Sequence, residues 1–195
     1  MSHRLRRTVF RAGMALGVVA LAGGSPRPLA AQATVVILAR HGEKAAEPAD
    51  NPPLSVAGEA RAAALAQALA AVRLDAVFAT EFARTQRTAA PTAAAHHLRV
   101  RILPVHGDSL AHARAVAAAI RARPRGDVVL VVEHSNTIPA IIAALGGPEL
   151  SELCRNEYAT LFVLVSPPGR APGLVRSSFG AAEPADAGCA PAMSH

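Results

Sequence analysis

The sequence predicts an α/β fold, a three-layer sandwich with a mainly parallel central sheet and helices on both faces. Three observations predict it. Apolar runs at 34–39, 76–79 and 127–132 are so uniformly hydrophobic that each reads as a strand buried on both faces. Between them lie Ala- and Leu-rich stretches whose larger apolar residues recur at helical spacing. Strands and helices alternate along the chain, which implies parallel pairing through right-handed crossovers and places helices on both sides of the sheet.

Taken in order, the chain opens on a leader. Arg4, Arg6, Arg7 and Arg11 form a basic segment, 12–22 is an apolar run, and Ala31-Gln32-Ala33 offers small residues at the spacing of a signal-peptidase site. Residues 1–33 therefore read as a secretory signal, with an apolar run too short for a membrane span of roughly 20 residues. The route is open: Arg6-Arg7 is a twin-arginine pair whose following residues fit that pattern poorly. The expected products are a periplasmic or secreted protein, one domain over 34–180 and a loose tail over 181–195.

The first strand, 34–39, ends abruptly at Arg40-His41-Gly42, and 42–53 is a polar, proline-bearing loop. Residues 55–72 form a helix with Leu65, Leu69 and Val72 on one side. A second strand at 75–80 leads into a helical stretch from Glu81, interrupted near Pro91. Residues 99–103 alternate charged and apolar side chains as a half-exposed strand does, and 104–109 is a turn. A helix over 111–123 precedes the most apolar strand, 127–132, which ends at Glu133-His134-Ser135-Asn136-Thr137. A short helix over 138–145, with Pro139 in its first turn and Gly146-Gly147 behind it, comes next. Two closing strands, 158–165 and 174–179, are joined by a turn at Pro167-Pro168-Gly169.

Parallel strands present their C-terminal ends along one edge, where open α/β sheets bind ligands. The residues brought there are Arg40, His41, Arg84 and His134. Two arginines and two histidines suit phosphoryl transfer. The planar guanidinium fork binds two phosphate oxygens at once, and a neutral imidazole is a nucleophile near pH 7. A transferred phosphoryl group is stabilised chiefly by positioned cations and donors. The set needs no cofactor, and the sequence holds no acidic cluster of the kind that binds Mg²⁺, so no metal is expected.

These residues resemble the histidine phosphatase superfamily, with its phosphoglycerate-mutase-like fold. Arg40-His41-Gly42 is similar to its signature after the first strand, Arg84-Thr85-Gln86-Arg87-Thr88-Ala89 to its second-arginine motif, and His134 to its second histidine. Leu54-Ser55-Val56-Ala57-Gly58 also resembles the family, and the closest likeness is to short bacterial exported members. The resemblance implies a phosphatase, of the histidine acid type, that hydrolyses a phosphomonoester or related phosphoryl compound through a phosphohistidine. His41 would be the nucleophile, with Arg40, Arg84 and His134 around the phosphate. It further implies a proton donor to the leaving oxygen. Asp108 is the first choice, though it equally suits the cap of the following helix, and Glu43 and Glu133 are rivals.

Several readings stay open. Ser135, Asn136 and Thr137 suit either ligand contact or helix capping, and His106 and His112 carry no signal of their own. Alternatives to the phosphatase are a catalytically weak phosphate-binding module and a protein phosphohistidine phosphatase. The expected partner is a small phosphorylated substrate. Nucleic acid is not expected: five of the chain's basic residues lie in the leader without an acid beside them, and only 3% of residues are aromatic, too few for base-stacking platforms. Cys154 and Cys189 make an even count in a chain read as exported, which allows one disulfide.

Overall fold

The computed structural model describes residues 32–183. Residues 1–31 of the expected leader, and the tail beyond Glu183 with Cys189, lie outside the described residues. Six strands form one sheet in the order β3-β2-β4-β1-β5-β6. They are β1 (Thr34–Arg40), β2 (Ala76–Ala79), β3 (Val100–Ile102), β4 (Val128–Glu133), β5 (Thr160–Ser166) and β6 (Gly173–Ser178). Strands β1 to β4 pair in parallel, while β5 runs antiparallel to both β1 and β6. The alternation of elements thus yields the parallel half, and the Pro-Pro-Gly turn closes an antiparallel pair at one edge.

The helices are α1 (Val56–Ala68), α2 (Ala83–Ala95), α3 (Ser109–Arg121) and α4 (Thr137–Ala144). Strand alternation decides which face each one covers. Ile37 and Ala39 of β1 and Leu130 and Val132 of β4 pack with Leu65, Leu69, Ala89 and Ala93 of α1 and α2. Val36, Leu38, Val129 and Val131 point the other way, onto Val116 and Ile120 of α3 and Ile138, Ile141 and Ile142 of α4. Both faces are covered, which is why these strands carry no polar alternation.

Two differences from the sequence expectation matter. Helix α2 continues through Pro91 to Ala95, because packing against α1 outweighs the hydrogen bond that a proline lacks. The segment after β6 is not loose at its start. Strand β6 runs parallel to β1 and so exits at the same edge, where the Glu183 carboxylate accepts from the amides of Tyr158 and Ala159. The Ala181 carbonyl also accepts from Arg61.

The loop after β1 is seated on the first turn of α1. Ser55 caps that helix by accepting from the Gly58 amide at 3.2 Å. A Cβ on Gly58 would lie 2.2 Å from the Glu43 carbonyl oxygen, and one on Gly42 would lie 2.8 Å from the Gly58 oxygen. Only glycines allow this approach of backbone to backbone. Gly58→Ala should therefore destabilise the fold by about 1–3 kcal/mol, the usual range for overpacking. Thermal melting should show a drop of several degrees, and an unchanged melting temperature would mean the approach is not tight.

Candidate active site

The ends of β1, β2 and β4 converge as the parallel pairing requires. The strand ladder runs one residue past β1, with the His41 amide donating to the Glu133 carbonyl at 2.9 Å. The His41 and His134 rings meet edge to face with centroids 5.3 Å apart. Around them lies a cavity of about 350 Å³ lined by Arg40, Arg84, Lys44, Asp50, Phe82, Tyr158 and their neighbours. A second cavity of about 360 Å³ sits near the start of β1 and holds Arg121, Arg123 and Arg125 but no histidine, so it offers no comparable chemistry.

His41 is held in a defined tautomer. A carbonyl oxygen only accepts, so the 2.8 Å contact between His41 Nδ1 and the Gly42 oxygen places the ring proton on Nδ1. Nε2 then carries the lone pair. Burial, together with Arg84, Arg40 and Lys44 nearby, outweighs the support of that bond and lowers the His41 pKa to about 4. Gly42 is fixed in turn, its amide donating to Thr88 Oγ1 at 2.9 Å, while Thr88 donates to the Arg84 carbonyl at 2.8 Å. Thr88 therefore ties the loop that follows His41 to α2.

His134 is lowered further, to about 3, first by burial and then by His41, Arg84, His112 and Arg40. Its Nε2 lies 3.2 Å from Thr80 Oγ1, which is 2.8 Å from Thr85 Oγ1. Thr85 also reaches the Phe82 carbonyl at 2.8 Å. One assignment satisfies every contact: Thr85 donates to the carbonyl, Thr80 donates to Thr85, and His134 Nε2–H donates to Thr80.

The two arginines are anchored differently. Arg40 Nη1 donates to the carbonyls of Cys154, Arg155 and Glu157 at 2.8, 3.1 and 3.2 Å, and its guanidinium stacks on Tyr158 at 4.1 Å. Its Nε is buried without an acceptor, a costly arrangement unless an anion comes near. Arg84 stacks on Phe82 at 4.4 Å, and Phe82 in turn meets the His134 ring edge to face.

The structure does not bring the expected proton donors into this cavity. Asp108 caps α3, accepting from the Ala111 amide at 2.7 Å. Glu43 turns to Arg61, which donates to both carboxylate oxygens at 2.7–3.0 Å. Burial would raise the Glu43 pKa, but the bonds from Arg61 outweigh it and hold the carboxyl below its usual range. Glu133 lies on the opposite face of β4, because residues 129, 131 and 133 point towards α3 and α4. The carboxylate that does line the cavity is Asp50, whose neighbour Asn51 accepts from the Ala83 amide and pins the loop to α2.

Of the open polar residues, Ser135 and Asn136 line the cavity, while Thr137 is buried beneath it. Sequence reasoning passed over Tyr158 and Phe82. The chain has one tyrosine and five phenylalanines, so a tyrosine at a strand boundary was a signal available to be used. Among the described residues no group of three His, Cys, Asp or Glu is placed to hold a metal ion, and no helix is long and apolar enough to cross a membrane.

Residues 36–105 match the family described as histidine phosphatase superfamily (branch 1). Over that segment the chain is similar to the histidine phosphatase superfamily. Its sheet and helices have the phosphoglycerate-mutase-like arrangement of structures in that group. The protein histidine phosphatase SixA complexed with tungstate superposes with a TM-score of 0.59 at 18% identity, covering 74% of this chain and 96% of that one. A mycobacterial glucosyl-3-phosphoglycerate phosphatase gives 0.56 at 17% identity, over 77% and 100% of the two chains. A phosphoserine phosphatase from Entamoeba histolytica in complex with 3-phosphoglyceric acid gives 0.51 at 15%, over 76% and 98%. At these identities the likeness is one of fold. Comparison with curated protein sequences finds no significant match.

The lowered pKa values of the two histidines set a pH dependence. Between about pH 6.5 and 4 the unfolded chain binds protons that folded His41 and His134 refuse, so stability falls as pH falls through that window. Histidine-resolved NMR should find the His41 midpoint near 4 and not near 6.5. His41→Ala should show a shallower loss of melting temperature on acidification. An unshifted midpoint, or an identical slope, would refute the buried-neutral state.

Proposed function

We propose that the protein is a phosphatase of the histidine acid type, acting on a small phosphomonoester or related phosphoryl compound through phosphorylated His41. The observation that carries this reading is the Nδ1–H bond from His41 to the Gly42 carbonyl, which leaves Nε2 as an unprotonated nucleophile beside Arg40, Arg84 and His134. Nε2 attacks phosphorus, the bond to the leaving oxygen breaks, and that oxygen takes a proton. Arg40 and Arg84 meet the charge that spreads over the phosphoryl oxygens. The bound dianion favours a cationic His134, which can then donate to those oxygens. Water next attacks phosphorus and loses a proton to solvent, and the P–N bond breaks with its electron pair returning to Nε2, which releases phosphate and restores the imidazole.

The placement of Asp108, Glu43 and Glu133 away from the cavity favours a second reading, removal of phosphate from phosphohistidine. There the leaving imidazole takes its proton from solvent through its distal ring nitrogen, so a positioned carboxylic acid is not required. Export to the periplasm or medium is also proposed, and it counts against a cytoplasmic signalling substrate. The leader supports export, as does Cys154, which is disulfide-bonded, a state that oxidising compartments sustain.

Incubation with ³²P-labelled substrates should leave an acid-labile, alkali-stable label on the wild type and none on His41→Ala. Turnover that persists with label after removal of His41 would refute the mechanism. A panel of alkyl phosphates, p-nitrophenyl phosphate and phosphohistidine separates the two readings. Turnover confined to phosphohistidine selects the second, and vanadate binding without any turnover selects a binding module.

A further inference from the structure

Beneath the cavity, on the far face of β4, lies a buried ion pair that the proposed chemistry leaves unused. His112 of α3 and Glu133 are each 1% exposed, and His112 Nε2 donates to Glu133 Oε1 at 2.9 Å. The second oxygen is also taken: Thr137 Oγ1 donates to Glu133 Oε2 at 2.8 Å. The same Thr137 oxygen accepts from the backbone amide of His134 at 3.1 Å. An unbroken set of contacts thus runs from α3 through the carboxylate and the first turn of α4 to the residue that carries the second imidazole.

We infer that His112 and Glu133 are positioning residues, which fix His134 and keep the layer under the anion pocket electrically neutral. The inference rests on the phosphate-pocket reading above. A buried carboxylate is strongly unfavourable unless paired. Here it stands one residue from His134, and its register partner across the ladder is Arg40. With His112 protonated the pair is neutral, and the pocket keeps the full attraction of Arg40 and Arg84. With His112 deprotonated, Glu133 becomes an uncompensated negative charge under the anion site. Paired packing alone would have been met by two apolar residues. The carboxylate's specific product is a charge that His112 can cancel.

The groups facing the pair are few. Glu133 and, more weakly, Glu81 act on His112, and the Pro104 carbonyl faces Nδ1 outside strict hydrogen-bonding geometry. The bond to Glu133 is the largest influence and burial opposes it, so His112 titrates above its usual value. The neutral pair is therefore complete below the ordinary histidine range and is lost as pH rises through the raised pKa. Facing His134 from other elements are His41, Arg84, His112 and Arg40, while Lys44 and Tyr158 line the same cavity.

Calorimetric titration of the full chain with tungstate, a tetrahedral dianion whose charge is constant over neutral and alkaline pH, tests this. For the wild type, tungstate affinity should weaken about tenfold as pH rises through the His112 titration. His112→Gln keeps a donor to Glu133 but not the charge, and should bind weakly at every pH. The double variant His112→Gln/Glu133→Gln replaces the ion pair by a neutral one and should recover tight binding that stays flat where the wild type declines. Lys44 and Tyr158 are intact in all three proteins, so the comparison between them isolates the His112–Glu133 pair. Wild-type affinity in His112→Gln, or an alkaline decline in the double variant that matches the wild type, overturns the inference. So does a double variant that folds, as judged by thermal melting, but binds no better than His112→Gln. If His112→Gln fails to fold, the double variant's curve decides alone. A wild type that binds no tungstate at any pH overturns the phosphate-pocket reading together with this one, whereas tight wild-type binding with unaltered variants leaves that reading standing.

Discussion

The hydrogen bond from the His41 amide to the Glu133 carbonyl sets the geometry on which the site depends. It extends the β1–β4 ladder to the last residue before each polar segment and so brings the two strand ends level. Level ends and a two-residue side-chain period have one outcome. His41 and His134 leave the sheet on the α1/α2 side, and Arg40 and Glu133 on the α3/α4 side. A slip of one residue in either strand would exchange these faces, sending an imidazole into the core and a carboxylate into the pocket. The apolar runs of β1 and β4, with core on both faces, hold that register because any slip would also shift the polar ends into the core.

From this arrangement follows the electrostatic character of the pocket. His41 is buried and His134 half-buried beside two guanidinium groups, and both imidazoles lose affinity for protons. For a nucleophile this is the useful state, since only the unprotonated ring has a lone pair to offer. The same burial that suppresses protonation gathers positive potential from Arg40, Arg84 and Lys44, and among the described residues Asp50 is the one carboxylate that lines the cavity. An arriving dianion supplies the compensation, and it does so where it also restores the incentive for His134 to take a proton. In the proposed phosphoryl chemistry, ligand charge and the protonation of His134 are coupled, while the Nδ1–H of His41 stays committed to Gly42.

The parallel half of the sheet was legible because its strands are short, apolar and separated by helical stretches. The convergence of Arg40, His41, Arg84 and His134 followed from it. The acids were not legible, for a definite reason. A strand buried on both faces shows no polar alternation, so nothing within 127–132 announces which parity faces which helices, and Glu133 looked as close to the pocket as His134. Parity was nonetheless present in principle, since adjacent residues of a strand must diverge. Asp108 displayed both a cap position and a plausible distance in sequence, and the cap prevailed because the α3 amides are unsatisfied without it. Glu43 was decided by Arg61, whose position depends on how α1 docks. Tyr158 entered through the direction of β5, which alternation of strands and helices does not specify.

Antiparallel β5 has a consequence beyond topology. Because it begins where the parallel strands end, the segment before it crosses the pocket edge and presents three carbonyls to Arg40 Nη1. That segment contains disulfide-bonded Cys154 and ends at Tyr158, whose ring covers the Arg40 guanidinium. Arg40 is thus oriented from the C-terminal half of the chain, Arg84 from α2 through Phe82, and His41 from α1 and α2 through Gly58 and Thr88. Three separate parts of the fold each place one member of the anion pocket. Since every placement passes through backbone atoms, a buried hydroxyl or a stacked ring, none depends on a surface ion pair that salt would screen. The geometry of the pocket is therefore as durable as the sheet itself, and what remains adjustable within it is charge.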